Sequence, residues 1–129
     1  LAGRYGVVLL YRGAFCPYCN TQLRAFQRAS EQLAELNAGV VALSSDDEAT
    51  TLATIDKHHL TFPVGHSAHV AEVAAATGAF VNEEPSHLQS TGFVLDPDGN
   101  VVVSVYSSGP IGRLVPEDVI GLIRYVSSH

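Results

Sequence analysis

Cys16 and Cys19 stand three apart in the stretch YRGAFCPYCN, residues 11–20, and are the two cysteines of a 129-residue chain. A pair at this spacing can hold half of a metal site, act as a structural staple, or cycle between dithiol and disulfide. A staple that closes so short a loop stabilises little. A chain of this length that is 47% hydrophobic buries about two-thirds of its unfolded surface without one. A metal would need further ligands, and the next close pair is His66 and His69. Residues 20–65 lie between, reading as a helix, a strand and another helix, whereas zinc-finger pairs stand about a dozen residues apart. No metal is therefore assigned, and the reversible dithiol is the favoured chemistry. The acids are scattered, and neither a GxSxG elbow nor a phosphate-cradling glycine loop occurs.

A dithiol works only if one sulfur becomes a thiolate near neutral pH, and a free cysteine has a pKa of about 8.5. Bringing it to about 7 requires roughly 2 kcal/mol of preferential thiolate stabilisation, which a helix N-terminus in a partly buried setting can supply. The surrounding sequence provides such a terminus. Tyr5–Tyr11 is a continuous apolar, β-rich run suited to a strand buried on both faces. Pro17 suits the first position of a helix, with Leu23, Phe26, Leu33 and Leu36 at helical spacing as far as residue 36. Cys16 then sits at or near the N-cap, facing solvent, with free backbone N–H groups aimed at its sulfur. Cys19 lies a turn further in on the same face, close enough to attack a mixed disulfide or sulfenic acid on Cys16. Arg12 before the turn and Arg24 two turns into the helix add positive charge.

The remaining pattern alternates strand and helix. A second buried strand spans 40–44. Asp46 or Asp47 caps a helix running to about His59. Residues 60–64 form a short extended piece broken by Pro63, and an alanine-rich helix covers 66–78, ending at Gly78. Residues 79–90 read as a loop holding Glu83, Glu84, Pro85 and His87. GFVLDPDGNVVVSVY is a hairpin about Asp96–Asn100, and Pro116 opens a last amphipathic helix with Val119, Ile120, Leu122, Ile123 and Val126 inward. The order β-α-β-α-(β)-α-β-β-α, with the cysteine motif after the first strand, points to an α/β domain of thioredoxin-like fold. Its central mixed β-sheet is flanked by helices, in a single domain over residues 1–129.

Net charge is −6, an acidic balance that argues against a nucleic-acid partner. It is uneven. Residues 1–30 carry Arg4, Arg12, Arg24 and Arg28 with no acid, whereas the rest set all 13 acids against Lys57, Arg113 and Arg124. The early arginines are either solvated surface or an electropositive neighbourhood for the cysteines. No apolar run reaches membrane-span length, so no membrane partner is expected. Low cysteine usage fits a reducing compartment, the cytoplasm. Residue 1 is Leu, which leaves room for a preceding segment.

VVLLYRGAFCPYC resembles the strand and active-site segment of thioredoxin-like proteins, with an aromatic residue, Phe15, directly before the motif. VVALSSDDEAT, HHLTFPV, ATGAF and GFVLDPDGNVV follow in the order of the peroxiredoxin group, the alkyl hydroperoxide reductase and thiol-specific antioxidant family. The similarity covers roughly residues 5–126. It implies cysteine redox chemistry without a cofactor, Cys16 as the attacking cysteine and Cys19 as its partner.

Departures accompany the resemblance. Gly13 stands where the family usually has Thr or Ser, the family's loop proline is missing, and LQSTGF lacks the usual arginine, for which Arg12 or Arg113 is the candidate substitute. Ser90 or Thr91 stands near the cis-proline position of thioredoxins, and Pro85 comes too early. The Pro17-Tyr18 dipeptide is typical of glutaredoxins, whose potentials run at about −200 to −230 mV. Two enzymatic expectations follow: a peroxidase recycled by thioredoxin, glutaredoxin or glutathione, or a general thiol–disulfide oxidoreductase acting on disulfide substrates. A non-catalytic module on the same fold is the third.

Overall fold

The computed structural model describes residues 3–83 and 86–128. Its centre is β1 (Tyr5–Leu10), paired in parallel with β2 (Ala38–Leu43) and antiparallel with β6 (Thr91–Leu95). A short β3 (Val64–Gly65) extends the β2 side and β7 (Val101–Tyr106) the other, giving the order β3-β2-β1-β6-β7. The two-residue period of a strand explains why β1 is apolar throughout. Val7, Leu9 and Tyr11 point into one core with Leu23, Phe26, Val119, Ile120 and Ile123. Val8 and Leu10 point to the opposite face, with Leu88, Ala79, Val73 and Phe93.

The helices are α1 (Pro17–Arg28), α2 (Ser30–Glu35), α3 (Glu48–His58), α4 (Val70–Thr77) and α5 (Pro116–Ser127). Asp47 caps α3, its carboxylate accepting the Thr50 N–H at 2.8 Å. Gly78 ends α4 in the left-handed region, φ 82°. On α5, Val119, Ile120 and Ile123 are buried while Leu122 and Val126 are half-buried. No helix among the described residues is long and apolar enough to cross a membrane.

The structure corrects three boundaries. The helix expected over 17–36 breaks at buried Ala29, whose ψ of 3° leaves the helical region before α2 begins. No helix-breaking residue marks that point, so packing and not local propensity sets it. The helix expected from residue 66 starts only at Val70. Ser67 adopts φ 56°, and the N–H groups of Ser67 and Ala68 bond to Asp46 O and Ser44 O instead of building a helical turn. The expected loop over 79–90 contains a small hairpin of β4 (Val81–Asn82) and β5 (His87–Leu88), supported by a bond from Gln89 N to Phe80 O at 2.8 Å and by fully buried Leu88. Glu84 and Pro85 lie outside the described residues.

Candidate active site

The chain leaves β1 at Leu10 and turns through residues 11–15 into α1. Cys16 N bonds to Gly13 O at 3.1 Å to close the turn, and Ala14 N donates to Asp46 Oδ2 at 2.9 Å, tying the turn to the loop before α3. Gly13 is needed there. Its φ is +150°, and a Cβ would lie 2.7 Å from Phe15 Cε1 and 3.0 Å from Asp46 Oδ1. This accounts physically for the missing threonine, since no side chain fits without moving a neighbour.

Cys16 is the N-cap of α1 with extended backbone (φ −92°, ψ 112°), and Pro17 is the first helical residue. The Cys16 sulfur accepts the Cys19 backbone N–H at 3.3 Å, so one of the helix's otherwise unpaired donors is aimed at it. The expected solvent-facing placement does not hold. Cys16 is only 1% exposed and Cys19 is fully buried. Arg12 folds across the turn, with its Nη1 3.8 Å from Cys16 Sγ and its guanidinium carbon 5.4 Å from the Phe15 ring centre. Phe15 is itself largely exposed and meets the His87 ring edge-on at 5.1 Å.

Each sulfur has an arginine held by a glutamine. Arg12 Nε donates to Gln89 Oε1 at 3.0 Å, and Arg12's backbone N–H donates to Cys19 Sγ at 3.4 Å. From the far side Arg113 Nη2 donates to Cys19 Sγ at 3.5 Å and Nη1 to Gln22 Oε1 at 2.7 Å. These contacts split the two thiols. Burial pushes Cys16 up, but hydrogen bonds from the Cys19 thiol and N–H and from Arg12, with the field of Arg113, outweigh it and leave Cys16 below its ordinary value. Burial raises Cys19, and its hydrogen bond to Cys16 raises it further. Donation from Arg12 N–H and Arg113 only partly offsets this. The result is that Cys16 gives up its proton more readily than Cys19.

The other singled-out residues fall into place unevenly. Tyr18 projects outward, half exposed, as the second residue of α1. Thr91 is buried at the start of β6 opposite Leu10, and its hydroxyl donates to Gln89 O at 3.2 Å. It therefore adjoins the residue that holds Arg12. Arg24 does not join the site, because its guanidinium lies 3.3 Å from His58 Nδ1 and reaches Thr21. His66 and His69 face Glu48 and Glu72 on the surface, and no group of three His, Cys, Asp or Glu is poised to hold a metal among the described residues. Gln22 and Gln89 were not singled out from sequence, and Asp46 was read only as a candidate cap for α3. Gln22 alone left a signal, being a polar residue between Cys19 and Leu23 on the inward face of α1.

The AhpC/TSA family model matches residues 1–104. A peroxiredoxin of Methanothermobacter marburgensis is 29% identical over 128 residues, covering 95% of this chain and 59% of that protein. The human mitochondrial thioredoxin-dependent peroxide reductase is 27% identical over 135 residues, covering 98% of this chain and 52% of that protein. The chain thus spans little more than half the length of these curated relatives. Among solved structures, Enterococcus faecalis AhpC superposes with a TM-score of 0.83 at 22% identity, covering 99% of this chain and 79% of that one. A reduced 2-Cys peroxiredoxin of Plasmodium vivax gives 0.83 at 18%, covering 99% and 80%. These likenesses establish the thioredoxin-like fold.

Proposed function

Because the chain belongs to the AhpC/TSA family, we propose that it is a thiol peroxidase of peroxiredoxin type, with Cys16 as nucleophile and Cys19 as resolving thiol. The Cys16 thiolate attacks one peroxide oxygen, an S–O bond forms and the O–O bond breaks. The departing oxygen takes a proton and leaves as water or an alcohol, and Cys16 becomes a sulfenic acid. Cys19 then gives up its proton and attacks the Cys16 sulfur. An S–S bond forms, the S–O bond breaks, and the hydroxide leaves with that proton as water. A reductant of thioredoxin type supplies two electrons and two protons by thiol–disulfide exchange and is itself oxidised to a disulfide.

The observation that carries this reading is the Cys16 sulfur at the start of α1, accepting the Cys19 N–H with Arg12 alongside. The relative named for thioredoxin dependence supports the choice of reductant. Recycling by a dithiol suits a reducing compartment, and we take it to be the cytoplasm. One feature favours a general thiol–disulfide oxidoreductase instead: Gly13 offers no hydroxyl for a peroxide.

Reduced protein mixed separately with hydrogen peroxide, an organic hydroperoxide and glutathione disulfide decides between the two. Rapid peroxide consumption lost in Cys16→Ser, with slow disulfide reduction, is the expected result. Disulfide reduction with negligible peroxide turnover would reject the peroxidase. Thioredoxin, glutaredoxin and glutathione supplied in turn identify the reductant.

A further inference from the structure

Resolution presents a physical difficulty that the first step does not. Cys19 is sealed in the core, and a thiol there resists ionising. Among the described residues, the titratable or charged groups that face it are Cys16 at the start of α1, Tyr11 and Arg12 after β1, and Arg113 from the loop before α5. None is a carboxylate or a histidine able to take its proton. What reaches the sulfur is a pair of N–H donors, the Arg12 backbone at 3.4 Å and Arg113 Nη2 at 3.5 Å. Such donors strengthen as charge develops on the acceptor.

The two donors differ in how they are fixed. The Arg12 N–H is held by the backbone where β1 ends. Arg113 is a long side chain on a loop, and only its other bonds aim it. Gln22 accepts from Arg113 Nη1 at 2.7 Å, and its own Nε2 donates to Leu114 O at 2.9 Å. It is buried on α1 three residues after Cys19, hence on the same helix face as that cysteine. One amide thus ties Arg113 and its neighbour Leu114 to the helix that carries both sulfurs, while within the loop Pro110 O accepts from Arg113 Nε at 3.1 Å and Nη2 at 2.5 Å.

We infer that Gln22 is a positioning residue for the resolving step: it holds the Arg113 guanidinium against Cys19, so that the buried sulfur can carry charge while it attacks Cys16. The inference rests on the peroxidase reading. It divides the side-chain donors of the site: the Arg12 guanidinium, held by Gln89, donates to the sulfur that meets peroxide, whereas Arg113, held by Gln22, donates to the thiol that closes the disulfide and reaches Cys16 only through its field. No external base is required near Cys19, because its proton leaves with the hydroxide released from Cys16.

Gln22→Met keeps the length and apolar stem and removes both amide bonds. Reduced protein is mixed with one equivalent of hydrogen peroxide and quenched at intervals, and intact mass gives separate rates for loss of the reduced form and for formation of the Cys16–Cys19 disulfide. Disulfide formation should slow about tenfold, the loss expected for one charge-assisted hydrogen bond, while the first step stays within about twofold. Equal slowing of both steps, or no slowing of the second, overturns the inference. A melting temperature lowered without that asymmetry would mean that Gln22 only anchors the loop.

If Gln22→Met does not fold, Gln22→Glu retains an acceptor for Arg113 but neutralises its charge, and the same asymmetry is expected. If the wild-type protein does not react with peroxide, the peroxidase reading fails by itself. The positioning role is then read from the pH titration of the Cys19 ¹³Cβ shift in Cys16→Ser. A midpoint displaced upward by Gln22→Met supports it, and coincident curves refute it.

Discussion

Arg12→Gln removes the side-chain cation that, among the described residues, donates to the Cys16 sulfur, while keeping a polar chain of moderate length. A charge pair at the observed 3.8 Å is worth about 1 kcal/mol at the dielectric of water and about 4 kcal/mol at an effective dielectric near 20. The contact is long for a hydrogen bond and the guanidinium is half-buried, so a value near the lower end, about 1.5 kcal/mol, applies. Losing it raises the thiol pKa and makes the thiolate population about tenfold smaller wherever Cys16 is mostly protonated. A more basic thiolate is intrinsically the better nucleophile, with a Brønsted slope of about 0.4–0.5, which returns about threefold. The variant should therefore react with a neutral alkylating agent about threefold more slowly at pH values below both pKa values. It should match or exceed the wild type above both. The assay is the alkylation rate of Cys16 against pH in a Cys19→Ser background, with thiolate ultraviolet absorbance as an independent titration. A midpoint that stays put or falls on losing Arg12 would refute the electrostatic reasoning.

Acid should weaken the fold through His58. Its pKa is lowered by burial and then by the neighbouring charges of Arg24, Lys57 and His59, so the unfolded chain takes up a proton there first. The stability from neutral His58 is complete above the ordinary histidine pKa, about 6.5, and is lost as pH falls below it. A flatter melting-temperature profile from pH 7 to about 5 in His58→Asn would confirm this, and an unchanged slope would contradict it. Asp47→Ala removes the α3 cap and should lower the melting temperature by a few degrees at neutral pH. The Thr50 N–H and hydroxyl hold the Asp47 carboxyl below its usual range, so the difference should shrink as pH falls through that range. Gly13→Ala forces a side chain into a left-handed position against Phe15 and Asp46. Both melting temperature and the rate of Cys16 oxidation should drop, and wild-type values for both would show that the turn has room.

Local chemistry written in consecutive residues was legible in the sequence. The buried β1, the N-cap cysteine followed by proline, the Asp47 cap, the Gly78 stop and the hairpin about Asp96–Asn100 each depend on neighbours within a few positions, and the structure has them all. What escaped depends on distant contacts. The late start of α4 follows from backbone N–H groups bonding to residues 44–46, and Cys16 is buried as part of the core that β1, α1 and α5 form together. Gln89 is brought to Arg12 from 77 positions away and Arg113 to Cys19 from 94, distances over which no periodicity speaks. Arg24 illustrates the converse error. Its nearness in sequence suggested a role at the sulfur, yet its place on α1 aims it at α3 and His58.

The most direct test of the account is the location of the oxidised sulfur after one equivalent of hydrogen peroxide meets the reduced protein. In wild type the account expects an intramolecular Cys16–Cys19 disulfide, in Cys19→Ser a sulfenic acid trapped by dimedone on Cys16, and in Cys16→Ser no fast reaction. Oxidation that begins at Cys19, or reduced cysteines that survive peroxide in the wild-type protein, would contradict it.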